Sequence, residues 1–140
     1  MANRPFIDTN VFVYSVDEAN PAKQVRAQQV LLDASDIVVS TQVMNEFYVV
    51  ATRKLIKPLA VKDAAAIVEK MTAYTCVPVD AALVQRAIRA GQRRQLSHWD
   101  ALMLESARQA SCGRLLTEDL ADEAVYDGIQ IENPFREIST

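Results

Sequence analysis

A chain of 140 residues, half of them apolar and only three of them glycine, is long enough to bury one core and too poor in loop formers for linkers or repeats. Its 15 basic and 18 acidic residues leave a formal charge of -3, which argues against a protein that coats nucleic acid through bulk positive charge. Cys76 and Cys112 lie far apart without metal-ligand spacing, and no run approaches the ~18 apolar residues of a membrane span, so one cytoplasmic domain over residues 1–140 is expected.

In chain order, Pro5-Phe6-Ile7 reads as a short strand, and Asp8-Thr9-Asn10 stops it and starts a helix at Val11 that runs to about Val16. Ala22 to Ala34, behind Asn20-Pro21, reads as a second helix. Ile37-Val38-Val39 is β-branched and fits a buried strand, and Ser40 or Thr41 caps a long helix to about Lys54 that Pro58 closes off. A helix over Val61 to Thr72 follows, then a strand over Cys76 to Val79. Asp80 caps a helix through about Ala90, with Gly91 weakening what comes next. Ser97 opens a helix to about Ser111, Gly113 stops it, and Arg114 to Thr117 and Ile129 to Ile131 read as strands. Strands alternating with helices imply an α/β fold with a mainly parallel sheet and helices on both faces, whose ligands bind beyond the carboxyl ends of the strands.

Asp8 and Asp119 fall at or just past such strand ends, although each also reads as a turn or capping residue. Glu46 is the only charged side chain between Asp36 and Arg53 and shares a helical face with Val43, Phe47 and Val50, so it reads either as facing the core, where it needs a metal or a polar cleft as partner, or as a solvated glutamate on a helix that is apolar all round. Asp100 stands third after Ser97, the spacing of a capping box, yet it lines up with Met103, Leu104 and Ala107 and so points inward. Four carboxylates at one cleft would repel, by ~3 kcal/mol per ionised pair at ~5 Å and an effective dielectric of ~20. Divalent cations relieve that, and oxygen-only ligands suit Mg²⁺ or Mn²⁺, which can activate water for phosphodiester cleavage.

Other chemistries find little footing. No phosphate-cradling glycine loop is present, and a single histidine, His98, removes paired-histidine chemistry. Trp99 reads either as packing or as a base-stacking group. Arg86, Arg89 and Arg93 recur at helical spacing with Arg94 behind them, a stripe that is either a solvated face or an RNA-phosphate contact; Arg53, Lys54 and Lys57 form a looser second candidate.

These motifs, in this order, resemble the PIN-domain nucleases, and among them the VapC-type toxins of prokaryotic toxin-antitoxin pairs. Phe6-Ile7-Asp8-Thr9-Asn10, Asn45-Glu46, Ser97-His98-Trp99-Asp100-Ala101, Leu115-Leu116-Thr117-Glu118-Asp119-Leu120 and Asn133-Pro134-Phe135 carry the likeness over nearly the whole chain. The resemblance implies a three-layer α/β/α PIN-like fold and an endoribonuclease with Mg²⁺ or Mn²⁺ held by Asp8, Glu46, Asp100 and Asp119. It further implies that Thr9 and Thr117 orient the site, that Asp119 rather than Glu118 is the ligand, and that the partners are an RNA substrate, an antitoxin protein and a second copy of the chain. Asp122 and Glu123 are further acids that could stand behind the site, and the apolar helix carrying Phe47 and Tyr48 is surface that core or partner must cover. The competing readings are a catalytically silent interaction module, an RNA-processing PIN nuclease outside a toxin pair, and a Mg²⁺ phosphatase; the last lacks the second aspartate of a D-x-D loop.

Overall fold

The computed structural model describes residues 3–138. Along the chain run β1 (Pro5–Ile7), α1 (Thr9–Ser15), α2 (Pro21–Asp33), β2 (Val38–Ser40), α3 (Thr41–Arg53), α4 (Val61–Met71), β3 (Thr75–Val77), α5 (Ala81–Arg94), α6 (His98–Gln109), β4 (Arg114–Leu116), β5 (Val125–Tyr126) and β6 (Ile129–Glu132). They form the expected α/β architecture around one six-stranded sheet of order β3-β2-β1-β4-β6-β5. Every pairing is parallel except β5 with β6.

β1 and β2 are buried along their whole length, as strands covered on both faces must be, which is why Pro5-Phe6-Ile7 and Val38-Val39 are apolar without alternation. From β1 the chain steps outward to β2 and β3, then returns through α5 and α6 to β4 on the other side of β1. Parallel crossovers keep one hand, so this reversal puts successive helices on opposite faces and opens a crevice between the carboxyl ends of β1 and β4. Everything needed for a site follows from that crevice.

Three local readings change. α1 begins at Thr9 rather than Val11, because the Asp8 side chain caps it. α5 passes through Gly91 and ends at Arg94, with Gln95 in the left-handed conformation. Gly91 is there for closeness: a Cβ would lie 3.4 Å from the Ala101 Cβ on α6, against which α5 packs. The third is β5, a strand not expected from the sequence, joined to β6 by Asp127 and Gly128, both at positive φ as a two-residue hairpin turn of the I′ kind requires.

No described helix is long and apolar enough to cross a membrane. Phe47 is fully buried and Tyr48 half-buried against the core, so that apolar face of α3 is covered from within.

Candidate active site

The sheet ladder does not stop at the end of β1. The Asp8 amide donates to the Leu116 carbonyl at 3.0 Å, and the chain then turns into α1. The Asp8 carboxylate is thereby fixed at the crevice, accepting the Thr9 amide at 2.6 Å and the Thr117 hydroxyl at 2.8 Å. Thr117, one residue past β4 and fully buried, keeps its own amide in the sheet through Glu132 and accepts the Asp119 amide on its hydroxyl at 3.0 Å. One hydroxyl therefore ties together the two strand ends that carry Asp8 and Asp119.

Glu46 reaches the same place from α3. Its Oε2 accepts the Thr9 hydroxyl at 3.1 Å and its Oε1 accepts the Gln42 side-chain amide at 2.6 Å. Asp100 enters from α6, where both of its readings hold: Ser97 Oγ accepts the Asp100 backbone N–H at 3.1 Å as a cap should, while the carboxylate lines the crevice. A hollow of about 60 Å³ results, lined by all four acids with Thr9 and Trp99 among the other groups.

Burial lifts the Asp8 carboxyl to about 7, in spite of the Thr117 and Thr9 hydrogen bonds, with Asp119 and Glu46 adding to the rise. Asp119 is raised too, by burial first and then by Glu118, Asp100 and Glu46. A cluster of acids that raise one another's proton affinity is a site short of positive charge. Among the described residues no three carboxylates close on one point as a finished cage. The donors nonetheless suit a hard cation such as Mg²⁺, which takes one or two carboxylates and keeps several of its waters.

The PIN domain family profile matches residues 6–126. The chain belongs to the PIN-domain family.

No curated protein matches this PIN domain in sequence. Among solved structures, a toxin-antitoxin complex from Klebsiella pneumoniae is similar at a TM-score of 0.68 and 18% identity, covering 93% of this chain and 97% of that one. DNA-bound VapBC from Salmonella typhimurium is similar at 0.63 and 20%, over 94% and 98%. The Mycobacterium tuberculosis toxin VapC20, which cleaves the sarcin-ricin loop, is similar at 0.63 and 22%, over 79% and 86%. At these identities the common property is the fold.

Within this PIN domain the crevice gathers Asp8, Glu46, Asp100, Asp119 and Thr9 on its wall, with Thr117 directly behind Asp8. Glu46 does not face the core as its apolar neighbours suggested. The buried stripe of α3 is Val43, Phe47 and Ala51, so Glu46 sits at its edge and opens exposed onto the crevice. Glu118 turns away from the hollow. Its carboxylate accepts the Tyr14 hydroxyl at 2.5 Å and the ammonium of the buried Lys23 at 3.1 Å. That network is invisible from the sequence because its members lie on α1, α2 and the loop after β4, and it holds Glu118 away from the hollow that Asp119 lines.

Asp122 and Glu123 do not stand behind the site. Asp122 accepts the Asn133 amide at 2.8 Å, contacts Arg136 at 2.9 Å and is held below the usual carboxylate range by both; Glu123 contacts Arg136 at 3.5 Å. They line a larger polar hollow of about 650 Å³ near α2, whose Arg114 and Arg136 are already paired with acids. Of the arginine stripe, Arg86 bonds Gln109 at the far end of α6 from Asp100, and Arg89 and Arg93 are exposed on α5; none lines the crevice. Arg53 lies seven residues beyond Glu46, hence on the same side of α3 and about 10 Å further along it.

Thr117→Val keeps the shape of the side chain but leaves Asp8 and the Asp119 amide each one partner short. If the crevice binds Mg²⁺, its affinity is expected to fall roughly 10- to 100-fold in this variant, the usual cost of losing a group that orients a ligand. A Mg²⁺ titration superimposable on wild type would show that the hydroxyl orients nothing.

Proposed function

We propose that this PIN domain is a Mg²⁺- or Mn²⁺-dependent endoribonuclease and the toxin of a toxin-antitoxin pair, acting in the cytoplasm, with an antitoxin protein and a second copy of the chain as partners. The observation that carries the nuclease reading is the meeting of Asp8, Glu46, Asp100 and Asp119, from four separate segments, at the crevice between β1 and β4. The toxin assignment is supported by the toxin-antitoxin complexes among the similar folds.

In this reading the four carboxylates hold the metal, with Asp8 and Asp119 on the strand ends and Glu46 and Asp100 facing them from α3 and α6. When bound, the ion supplies charge neutralisation at the phosphate and acidifies a water for attack. The protein's own part is positional. Thr117 fixes the two strand-end acids relative to each other, Thr9 and Gln42 hold both oxygens of Glu46, and the Ser97 cap anchors the first turn from which Asp100 projects. Because Asp8 releases its proton only near pH 7 in the metal-free protein, metal binding is expected to displace that proton and to weaken as the solution is acidified.

A mixed pool of single-stranded and looped RNA, incubated with the protein, is expected to be cleaved with Mg²⁺ or Mn²⁺ and left whole in EDTA. Equal cleavage in EDTA would overturn the metal mechanism, and no cleavage with either ion would favour a silent interaction module.

A further inference from the structure

Trp99 is 63% exposed although it is the largest apolar surface at the acidic crevice, one residue from Asp100 and part of the same wall. Packing does not account for it. Its only described aromatic neighbour is His98, with ring centroids 5.4 Å apart and planes tilted by 64°, so no ring lies parallel on the indole. An indole left in water at the lip of a site is a large apolar face without a partner.

The crevice has a second peculiarity. Among the described residues no lysine or arginine lines it, so side-chain cations do not grip a phosphate at the hollow itself. A bound divalent ion would hold one phosphate, and the base beside it is the next part of the nucleotide that the crevice wall can hold. Every nucleobase has a flat π-face, and stacking on an aromatic side chain is how single strands are held without sequence-specific hydrogen bonds.

Resting on the ribonuclease reading above, we propose that Trp99 is a stacking platform for a nucleobase of single-stranded RNA next to the scissile phosphate. Stacking requires an unpaired base, so the platform makes the enzyme select unpaired RNA over duplex. It contributes to substrate binding rather than to the chemical step, because the indole carries no group that can accept a proton or hold an ion.

Trp99 is the only tryptophan in the chain, so indole fluorescence reports this position alone. Asp8→Asn protein in Mg²⁺, used to keep the RNA whole, is expected to lose indole fluorescence on titration with a single-stranded oligoribonucleotide. An oligomer of the same length without bases should leave it unchanged. In steady-state cleavage by otherwise wild-type protein, Trp99→Leu is expected to raise KM roughly 5- to 150-fold, the range of base–aromatic stacking, with the loss on KM rather than kcat, and Trp99→Phe should restore most of it. Because the side chain is exposed, neither change should lower the melting temperature appreciably.

RNA that is cleaved without any fluorescence response, together with a Trp99→Leu KM equal to wild type, would overturn the platform and leave the nuclease standing. Quenching by RNA without cleavage under any metal would do the reverse. A fluorescence change that follows protein concentration alone, with no response to RNA, would mean that the indole docks against a second copy of the chain and would overturn the proposal.

Discussion

In EDTA at pH 8, Asp8→Asn is expected to melt at a higher temperature than wild type while cutting almost no RNA. The folded protein holds the Asp8 proton up to about pH 7, whereas the unfolded chain releases it near 3.8. Between those values unfolding sets a proton free, so raising the pH favours the unfolded state and the metal-free wild type loses stability as pH rises from about 4 to about 7. The full effect is at most on the order of 4 kcal/mol for a group this deeply buried. An asparagine has no charge to desolvate. Its carbonyl can still accept the Thr9 amide and its NH₂ can donate to the Thr117 hydroxyl, so the hydroxyl proton that Asp8 accepted is the one local partner lost.

The gap between the two proteins should therefore open as pH climbs from 4 and flatten above 7. Excess Mg²⁺ should reverse the order, because a ligand that binds only the folded state stabilises in proportion to occupancy, and the variant has lost a donor. Melting curves of both proteins across that pH range, with EDTA and with Mg²⁺, check every part of this. A variant less stable than wild type in EDTA at pH 8, and still active, would show that Asp8 is a structural cap and nothing more.

Lys23→Met is expected to be strongly destabilising although it lies outside the crevice. Lys23 is 4% exposed, sits over the Tyr14 ring at 4.6 Å, and donates to Tyr14 at 3.1 Å and to Glu118 at 3.1 Å. Burial pulls its proton affinity down, but the hydrogen bonds and charge of those two partners outweigh it and leave the ammonium above its ordinary value. Methionine fills the same space and leaves the Glu118 carboxylate facing Tyr14 without a cation. Removing one member of a buried pair costs about 3 to 5 kcal/mol; Glu118 keeps some contact with water, so the lower end applies. The double variant Lys23→Met with Glu118→Gln should recover most of the loss, since no charge is then left unpaired. Urea denaturation of wild type, the two single variants and the double variant would decide it, and effects that simply add in the double variant would mean that the pair is not coupled.

These two sites mark what sequence reading can and cannot see. Asp8, Asp100 and Asp119 were legible because strand ends and helix caps are local patterns, and the expected sheet followed from short apolar runs such as Phe6-Ile7 and Val38-Val39 that are buried on both faces. The place of Glu46 is only half legible. Its neighbours are apolar, but the buried stripe of α3 is centred on Val43, Phe47 and Ala51, and one position around a helix separates a core residue from a cleft residue. β5 was missed although Asp127-Gly128 is a recognisable hairpin signal, because two residues, one of them exposed, show no alternation to read. The Lys23, Tyr14 and Glu118 network had no sequence signature: its partners lie 9 and 95 residues from the lysine and meet only in the folded chain. The arginine stripe had a signature and lies away from the crevice, since periodicity on α5 marks a face without saying what that face meets.

The bond from Thr117 to Asp8 spans 109 residues and closes the two central strands. A ribosome makes the chain from Asp8 toward Thr117, so β1, in the middle of the finished sheet, waits for β4 until the 109 residues that follow Asp8 as far as Thr117 have been made. Contacts of such separation form late, and Asp119 arrives with them. If the crevice cuts RNA, an incomplete chain emerging beside the message and the transfer RNAs that are building it holds at most three of the four acids and lacks the hydroxyl that sets their spacing. The order in which the chain is translated thus delays the hazard until β4 and the Asp119 loop behind it have been made.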